Sequence, residues 1–404
     1  MSGRLLNPAF ARGTLSKTHA ESVVKVPFSR PSFTNEDLDE ILVHVRAVLA
    51  SGWLTSGKNV EAFETKFAES VGSRHALAVN SCTAALHSML VALDVGPGDE
   101  VIVPSNTFVA TPNAVLYTGA KPVFADSDPE TFNVSAEDVE KKITPKTRAL
   151  IAVHLAGNPC DMKVLTEIAE DHHIDLLEDC AHAHGSSSGG KNCGTIGVAG
   201  AFSFYATKIM TSAEGGMVVT DDQKIADRVK RIRSHGRGGV GPVETTELGY
   251  NYRMSDIHAV IALSQLRRLP EFIRQRQQIA KFYNRLFSET RWVRPQVVMK
   301  GDVCPYYVYL LKVAKEAPIS RDELARRLGE RGVATSVLYY PAHTQPFYLK
   351  VIDRDPVCPV ASDLGKRTIA VPMYSGMTTS ELNRVSDVWK EVSASPVERI
   401  ANIS

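Results

Sequence analysis

The 404-residue chain predicts an α/β fold, with a large domain built on a mainly parallel sheet and a smaller α+β domain at the C-terminal end. Short apolar runs alternate with segments of helical spacing between residues 75 and 220, which is typical of parallel strands joined by helical crossovers. After residue 290 strand and helix signals continue without this alternation. We expect a flexible arm at 1–26, the large domain at 27–270 and the small domain at 271–404.

Two helices precede the alternating region. Apolar residues recur at helical spacing from Asn35 to Ala50 with Thr34 as N-cap, and a second helix is predicted from Val60 to Val71. The strands that follow are short and apolar: His75–Val79, Glu100–Val103, Pro122–Ala125, Ala149–Val153 and Asp175–Leu177. The helices predicted among them are Thr83–Leu93, Val109–Tyr117 and Met162–Glu170.

The second half of the chain predicts two further strands and the link to the small domain. Strands at Ala199–Phe204 and Met217–Thr220 flank a loop, and a long helical stretch from Ser255 to Ser288 would join the domains. In the small domain we predict a strand at Tyr306–Val313 and helices at Arg321–Glu330 and Ser380–Val392.

Composition excludes several classes of protein. A net charge of +1 gives no sign of attraction to nucleic acid or to a membrane surface. No apolar run approaches the roughly 18 residues of a membrane span, and no signal peptide is indicated. The six cysteines form no Cys-x-x-Cys pair. We therefore expect reduced thiols in a cytoplasmic protein, with neither a disulfide framework nor a metal site.

Lys208 and Asp179 are the candidate catalytic pair. Asp179 directly follows a buried strand, at the sheet edge where α/β proteins collect ligands, and Lys208 lies in the loop between two strands among apolar and hydroxyl residues. Taken singly, they are a turn aspartate and a solvated lysine. Together they match what pyridoxal phosphate (PLP) requires, a lysine that forms a Schiff base and a carboxylate that keeps the pyridine nitrogen protonated. The same amine could carry protons as general acid and base.

Other residues could complete a cofactor site. The strand-to-helix turn at residues 80–85 offers backbone N–H groups to a phosphate, and a nearby hydroxyl could assist. An aromatic ring could stack on the pyridine, and a histidine could donate to the cofactor's phenolic oxygen or order Asp179. The candidates are Cys82, Thr83, Ser203, Phe108 and His182. Each also has a simpler interpretation, as part of an ordinary helix cap, core or helix.

In these and other segments the chain resembles the DegT/DnrJ/EryC1/StrS aminotransferases, which make amino sugars on nucleotide-linked sugars. The similarity extends over about residues 30 to 385, in the family's order. The matching segments include Ser81-Cys-Thr-Ala-Ala-Leu86, Gly96-Pro-Gly-Asp-Glu-Val-Ile102, Thr107-Phe-Val-Ala-Thr111, Glu178-Asp-Cys-Ala-His-Ala183, Ser203-Phe-Tyr-Ala-Thr-Lys208, Gly249-Tyr-Asn-Tyr-Arg-Met254 and Tyr339-Tyr-Pro341.

The resemblance implies PLP-dependent transferase fold type I, of the aspartate aminotransferase kind, and a homodimer with shared active sites. It implies the cofactor roles given above for Lys208, Asp179, Phe108, His182, and for Cys82, Thr83 and Ser203 as the phosphate cradle. Asn251 would reach the phosphate from the other subunit. Thr55, Arg253 and His343 would lie along the sugar-nucleotide cleft. Many relatives have Gly at the position of Cys82, and relatives with His in place of the lysine are dehydratases.

The function expected from this resemblance is transfer of an amino group to a keto group of a nucleotide-linked deoxy sugar. PLP and pyridoxamine phosphate (PMP) would alternate as cofactor forms, and L-glutamate is the expected amino donor. Two alternatives remain open: a keto-cyclitol as the acceptor, and a regulatory protein that keeps the fold without turnover. The intact Lys208 and Asp179 argue against the second alternative.

Overall fold

The computed structural model describes residues 26–238, 244–352 and 357–394. The predicted arm therefore lies outside the described residues, apart from Val26. That residue is buried, and its backbone exchanges hydrogen bonds of 2.9 and 3.0 Å with Gly332 and Ala334. The assignment of Val26 to a flexible arm is wrong, because its side chain fills the core of the small domain.

The large sheet confirms the α/β expectation. In the described part of the chain it has seven strands in the order β1-β9-β8-β5-β4-β2-β3, and β9 runs antiparallel to both neighbours while the other pairs are parallel. The strands of the structure are β1 (His75–Val79), β2 (Glu100–Pro104), β3 (Lys121–Ala125), β4 (Thr147–Val153), β5 (Asp175–Asp179), β6 (Ser187–Ser188), β7 (Lys191–Asn192), β8 (Ala199–Ser203), β9 (Gly216–Thr220), β10 (Val293–Pro295), β11 (Tyr309–Val313) and β12 (Thr368–Val371).

Helices cover both faces of this sheet. The helices are α1 (Asn35–Ser51), α2 (Lys58–Val71), α3 (Cys82–Ala92), α4 (Ala110–Tyr117), α5 (Ala136–Lys142), α6 (Met162–Asp171), α7 (Gln223–Ile232), α8 (Asp256–Ser288), α9 (Arg321–Glu330), α10 (Tyr348–Val351), α11 (Pro359–Arg367) and α12 (Thr379–Ala394). In β1, Leu77 and Val79 pack with α3 and α7, whereas Ala76 and Ala78 pack with α2. This alternation explains the continuous apolar runs of the sequence.

The direction of the strands sets the position of the site. Because β1 and β8 both oppose β9, their carboxyl ends lie at the same edge as those of β2, β4 and β5. Asp179 ends β5, Ser203 ends β8, and Ser81 caps α3 just after β1. Lys208 lies in the loop between β8 and β9, as the sequence predicts.

The small domain is α+β. Strands β10, β11 and β12 form an antiparallel sheet against α9, α12 and the second half of α8. Residues of α8 up to Ile273 pack in the core of the large domain, and those from Ile279 pack in the core of the small domain. The boundary therefore lies a few residues after the predicted one. The predicted strand at Tyr306 begins three residues too early, because Tyr306 has a left-handed backbone with φ of 55°.

All six cysteines are buried and none is in a disulfide. In the described ranges, no helix combines the length and apolarity that a bilayer crossing requires.

Candidate active site

A cavity of about 400 Å³ opens where the carboxyl edge of the large sheet meets the small domain. Seven residues that the sequence analysis singled out line it: Cys82, Thr83, Phe108, Asp179, His182, Ser203 and Lys208. Tyr307 and Tyr339 close it from the C-terminal part of the chain. Residues that are far apart in sequence therefore share one enclosed volume, which a small ligand could fill.

Asp179 is buried and held by two hydrogen bonds. Its Oδ1 accepts from the N–H of Ala181 at 3.1 Å, and its Oδ2 accepts from the hydroxyl of Thr111 at 2.8 Å. Burial raises the pKa of Asp179 above its ordinary value, and the two hydrogen bonds and the charge of Lys208 oppose that rise. A buried carboxylate of this kind gains from a cationic partner in the cavity, such as a protonated pyridine nitrogen.

Thr111 is a functional residue that sequence reasoning missed. Its hydroxyl donates to Asp179, so the hydroxyl of Thr107, 2.8 Å away, donates to Thr111. Both threonines are buried. They stand four residues apart in a segment quoted for its resemblance, where only Phe108 was interpreted. Thr107 precedes α4 and Thr111 lies in its first turn, so the available signal was two hydroxyl residues at the start of a predicted helix that follows a strand end.

Lys208 extends over an aromatic ring. Its Nζ lies 4.6 Å from the centroid of the Tyr307 ring, within the range of a cation–π interaction. The Tyr307 hydroxyl bonds to the hydroxyl of Thr207 at 2.9 Å, next to the lysine in sequence. Tyr307 was included in a predicted strand and was not identified as a site residue.

His182 is neutral in this environment. Burial and the charge of Lys208 hold the pKa of His182 well below its usual range. Its Nδ1 accepts from the N–H of Ala156 at 3.3 Å, so Nε2 carries the proton and donates to the hydroxyl of Tyr339 at 3.1 Å. The imidazole stacks on Tyr307 at 4.3 Å. His182 was one candidate to hold Asp179 in place, but the hydrogen bonds that do so come from Ala181 and Thr111.

The start of α3 provides an anion cradle. Ser81 caps the helix by accepting from Ala84, so the N–H groups of Cys82 and Thr83 belong to the first turn and face the cavity side. Burial raises the pKa of the Cys82 thiol well above its ordinary value, so this residue offers its backbone and not a thiolate. A Cβ atom at Gly216 would lie 2.6 Å from the Cys82 nitrogen, so the backbone of β9 approaches this turn as only glycine permits.

Phe108 and Ser203 complete the cavity wall. The Phe108 side chain is 54% exposed, and its ring centroid lies 5.4 Å from that of Tyr339. A large apolar ring that is exposed inside a cavity is available to stack on a planar ligand. Ser203 is buried at the end of β8, five residues before Lys208.

Four predicted residues lie outside this cavity. Asn251 and Thr55 are exposed, and Arg253 is half-buried with a hydrogen bond of 3.4 Å to Ser234. His343 is buried, with one ring nitrogen bonded to Ser105 and the other 3.1 Å from Ser362. His343 therefore does not line the cavity, and neither of its ring nitrogens is free to bind a substrate there.

Behind the cavity, a second buried cluster supports β5. Glu178 accepts from three backbone N–H groups, those of residues 194, 196 and 197, each at 2.7 Å. The Nδ1 of His154 accepts from the N–H of Cys160, so its Nε2 donates to Glu178 at 3.0 Å. The Sγ of Cys180 lies within 4.8 Å of the ligand atoms of Glu178 and His154. No lone pair of His154 remains for a cation, so we interpret the cluster as a support.

The residues present fit pyridoxal phosphate. Lys208 offers the amine, Asp179 a buried acid whose two donors favour its ionised form, and Phe108 a free ring face. Cys82 and Thr83, in the first turn of α3, line the cavity, where their backbone N–H groups could meet a phosphate. These groups supply each contact that the cofactor requires.

Comparisons with known proteins agree with this geometry. The profile of the DegT/DnrJ/EryC1/StrS aminotransferase family matches residues 35–390. GDP-perosamine synthase of Escherichia coli O157:H7 is 37% identical over 358 residues, which are 88% of this chain and 95% of that protein.

Solved structures show the same fold. DesV of S. venezuelae, in complex with a ketimine intermediate, is 32% identical with a TM-score of 0.86, covering 92% of this chain and 99% of that one. Spr1654 of Streptococcus pneumoniae, solved in PLP and PMP forms, is 28% identical with a TM-score of 0.85. It covers 91% of this chain and 98% of the PLP-form chain. The chain belongs to the DegT/DnrJ/EryC1/StrS aminotransferase family and has its PLP-dependent fold.

Proposed function

We propose that this protein transfers an amino group from an amino acid, L-glutamate in the first instance, to a keto group of a nucleotide-linked deoxy sugar. The observation that carries the proposal is the meeting of Lys208 and Asp179 in one cavity with an anion cradle. The relative named GDP-perosamine synthase supports a nucleotide-linked acceptor, since its name describes an amino sugar carried on GDP.

The roles proposed for the residues follow from their environments. Bound PLP supplies an aldehyde carbon and a ring that accepts electrons. Lys208 would hold the cofactor through its amine, and the same amine would carry a proton to and from the substrate carbon. Asp179 would keep the ring nitrogen protonated. The neutral His182 donates through Nε2 to the hydroxyl of Tyr339, and the start of α3 would bind the phosphate.

We also propose a cytoplasmic homodimer with shared sites. Asn251 lies outside the cavity of its own chain, as a residue that serves the neighbouring subunit should. The six unpaired thiols support a reducing compartment.

The first experiment follows the absorbance of the bound cofactor. Addition of L-glutamate to the PLP-loaded protein should convert the PLP band to that of PMP, and 2-oxoglutarate should reverse the change. If no amino acid among glutamate, glutamine, aspartate and alanine converts the band, the proposed activity is wrong.

The acceptor is tested with the PMP form. GDP-, dTDP- and UDP-linked 4-keto-6-deoxy sugars and a keto-inositol are offered separately, and the products are identified by mass spectrometry. Amination of a nucleotide-linked sugar supports the proposal, whereas amination of the keto-inositol alone assigns the protein to the cyclitol branch. A protein that forms PMP but aminates no sugar or cyclitol would contradict the proposed acceptor class.

Replacement of Lys208 by Ala removes both the bonding amine and the proton carrier. We expect the band of the lysine-bound cofactor to disappear and transamination to fall by about 10⁴-fold. Lys142 is a matched control, because it is a half-buried lysine that bonds to Phe124 and Asp138 away from the cavity, and Lys142→Ala should keep the band. Turnover that survives in Lys208→Ala would refute the assignment of the nucleophile.

A further inference from the structure

Tyr307 lies against Lys208, which is the one lysine that lines the cavity among the residues that the structure describes. The Lys208 Nζ is 4.6 Å from the ring centroid, and Tyr307 itself is buried. A cation over an aromatic face is stabilised most where water is excluded, whereas a neutral amine gains little from the ring. The contact therefore distinguishes the protonated from the neutral form of the Lys208 amine.

Neighbouring groups fix the position of the ring. Its hydroxyl bonds to Thr207, its face stacks on His182, and its backbone carbonyl accepts from Arg276 at 2.9 Å. The Nη1 of Arg276 also bonds to the carbonyls of Tyr306 and Met373, each at 3.2 Å. The ring is thus held from α8, from the lysine loop and from the cavity wall.

The neutral state of His182 is part of the arrangement. Its pKa is held well below the usual range by burial, so the imidazole stacked on Tyr307 brings no positive charge. A protonated imidazole would compete with the ammonium group for the same ring. With His182 neutral, Lys208 is the cation that the ring receives.

We propose that Tyr307 is the resting platform for the Lys208 amine whenever that amine is free of the cofactor, and that it stabilises the ammonium form. This inference rests on the proposed aminotransfer, in which the Lys208 amine would be released from the cofactor while it carries a proton. The platform holds the ammonium group against one wall of the cavity while it carries that proton. Tyr307 touches the reacting nitrogen and is a catalytic residue in that sense.

The platform is tested first without turnover. In the full chain freed of cofactor and labelled with ¹³C at the lysine ε carbon, the Lys208 signal should be shifted upfield by the ring of Tyr307. Lys208→Arg assigns the signal, and Tyr307→Leu should remove the shift. A Lys208 signal at the position of ordinary solvated lysines would overturn the proposal, whether or not the protein proves to be an aminotransferase.

The kinetic test changes the ring electronically and keeps its shape. Phenylalanine with none to three ring fluorines is placed at position 307, and the rate of cofactor conversion by L-glutamate is measured in a single turnover. The rate should fall stepwise with fluorination, by about tenfold over the series, because fluorine withdraws the electron density that attracts the cation. Rates that do not change with fluorine number would refute the platform.

Tyr309 provides the matched control. It is buried two residues further along, and its hydroxyl bonds to Asn284 in the core of the small domain. The same fluorinated series at position 309 should leave the rate unchanged. If the upfield shift is found but no amino donor converts the cofactor, the proposed function fails and the resting position of the amine stands.

Discussion

At the residue scale, the ionised form of the buried Asp179 is stabilised by its hydrogen-bond donors. Burial raises the pKa of Asp179, and the donors Thr111 and Ala181 work in the opposite direction. The hydroxyl of Thr107 in turn donates to that of Thr111. The ionised form of the acid therefore depends on two buried hydroxyl groups and on one backbone N–H group.

Replacement of Thr111 by Val tests this dependence. Loss of the donor raises the pKa of Asp179 further, so the carboxylate protonates at a higher pH as the solution is acidified. The acid limb of the kcat/KM profile should move to higher pH, with about a tenfold loss of kcat/KM on that side. Thr111→Ser keeps the hydroxyl and should behave as the parent protein. Superimposable profiles for Thr111→Val and the parent would show that the bond is irrelevant.

The sequence predicts some of these residues better than others. Lys208 and Asp179 were predictable because strand ends bring ligands together at one edge, and Phe108 because it follows another such end. Thr111 escaped because a buried threonine on a helix has many ordinary explanations. The sequence does not predict Tyr307 as a site residue, because it lies about a hundred residues after Lys208. No periodicity in the sequence indicates a contact between the two.

At the scale of elements, β5 carries two acids that face different surroundings. Asp179 lines the cavity, whereas Glu178 accepts three backbone N–H groups from the loop after β7 and a fourth donor from His154. Each carboxylate oxygen of Glu178 accepts at least two hydrogen bonds. This acid fixes the loop against the strand and leaves no oxygen for chemistry.

The Glu178→Gln variant should lose stability even though its shape is retained. An amide presents an N–H₂ group to donors that need an acceptor, so at least one buried N–H loses its partner, at a cost of about 2–4 kcal/mol. The cost is measured by denaturant unfolding. Glu137 is exposed and pairs only with Lys141 on the surface of α5, so Glu137→Gln should leave the unfolding midpoint nearly unchanged. Equal midpoints for the two variants would contradict this account of the loop.

Element boundaries show where sequence reasoning reached its limit. Thr34 caps α1 as predicted, with a capping box to Asp37, because that signal lies within four residues. The helices α5 and α7 were not predicted, although both have capping residues, Ser135 and Asp222. Each helix buries only a short apolar face, and the sequence alone does not distinguish that face from a loop.

At the scale of the whole molecule, Arg276 joins α8 to the small domain. It is buried, and its guanidinium bonds to three backbone carbonyls and to the hydroxyl of Ser375. Burial lowers the pKa of Arg276 to about 10. The bonded carbonyls include that of Tyr307, so a single side chain connects the interdomain helix with the wall of the cavity.

Replacement of Arg276 by Met leaves these carbonyls without a donor. We expect a loss of stability of about 2–5 kcal/mol and a lower kcat, because Tyr307 loses its anchor. Arg274, two residues earlier on the same helix, is exposed, and Arg274→Met should change neither quantity. An Arg276→Met protein as stable and active as the control would show that the connection is dispensable.

The proposed sharing of sites is tested by mixed dimers. Asn251→Ala should weaken binding of the cofactor phosphate, and Lys208→Ala should abolish turnover, in the respective homodimers. A dimer of one chain of each kind holds one site with both residues intact, so about half of the parent activity per dimer should return. Mixed dimers no more active than the two homodimers would place Asn251 outside the partner's site.

The sequence pattern does not fix where a side chain lies relative to a substrate cleft. This applies to Thr55, Arg253 and His343. These residues follow turns whose final position depends on packing over long distances in sequence. His343 illustrates the problem, because its burial against Ser105 and Ser362 joins α11 to the end of β2. A motif shows that a segment is present but does not show which way its side chain turns.

The backbone contact at Gly216 has a mechanical consequence. Since no side chain separates β9 from the turn at Ser81 and Cys82, the strand that follows the lysine loop and the start of α3 form one rigid piece. Separating the start of α3 from this strand would require pulling β9 out of the sheet. We therefore expect any widening of the cavity that admits a bulky substrate to come from the opposite wall, where Tyr307 and Tyr339 stand.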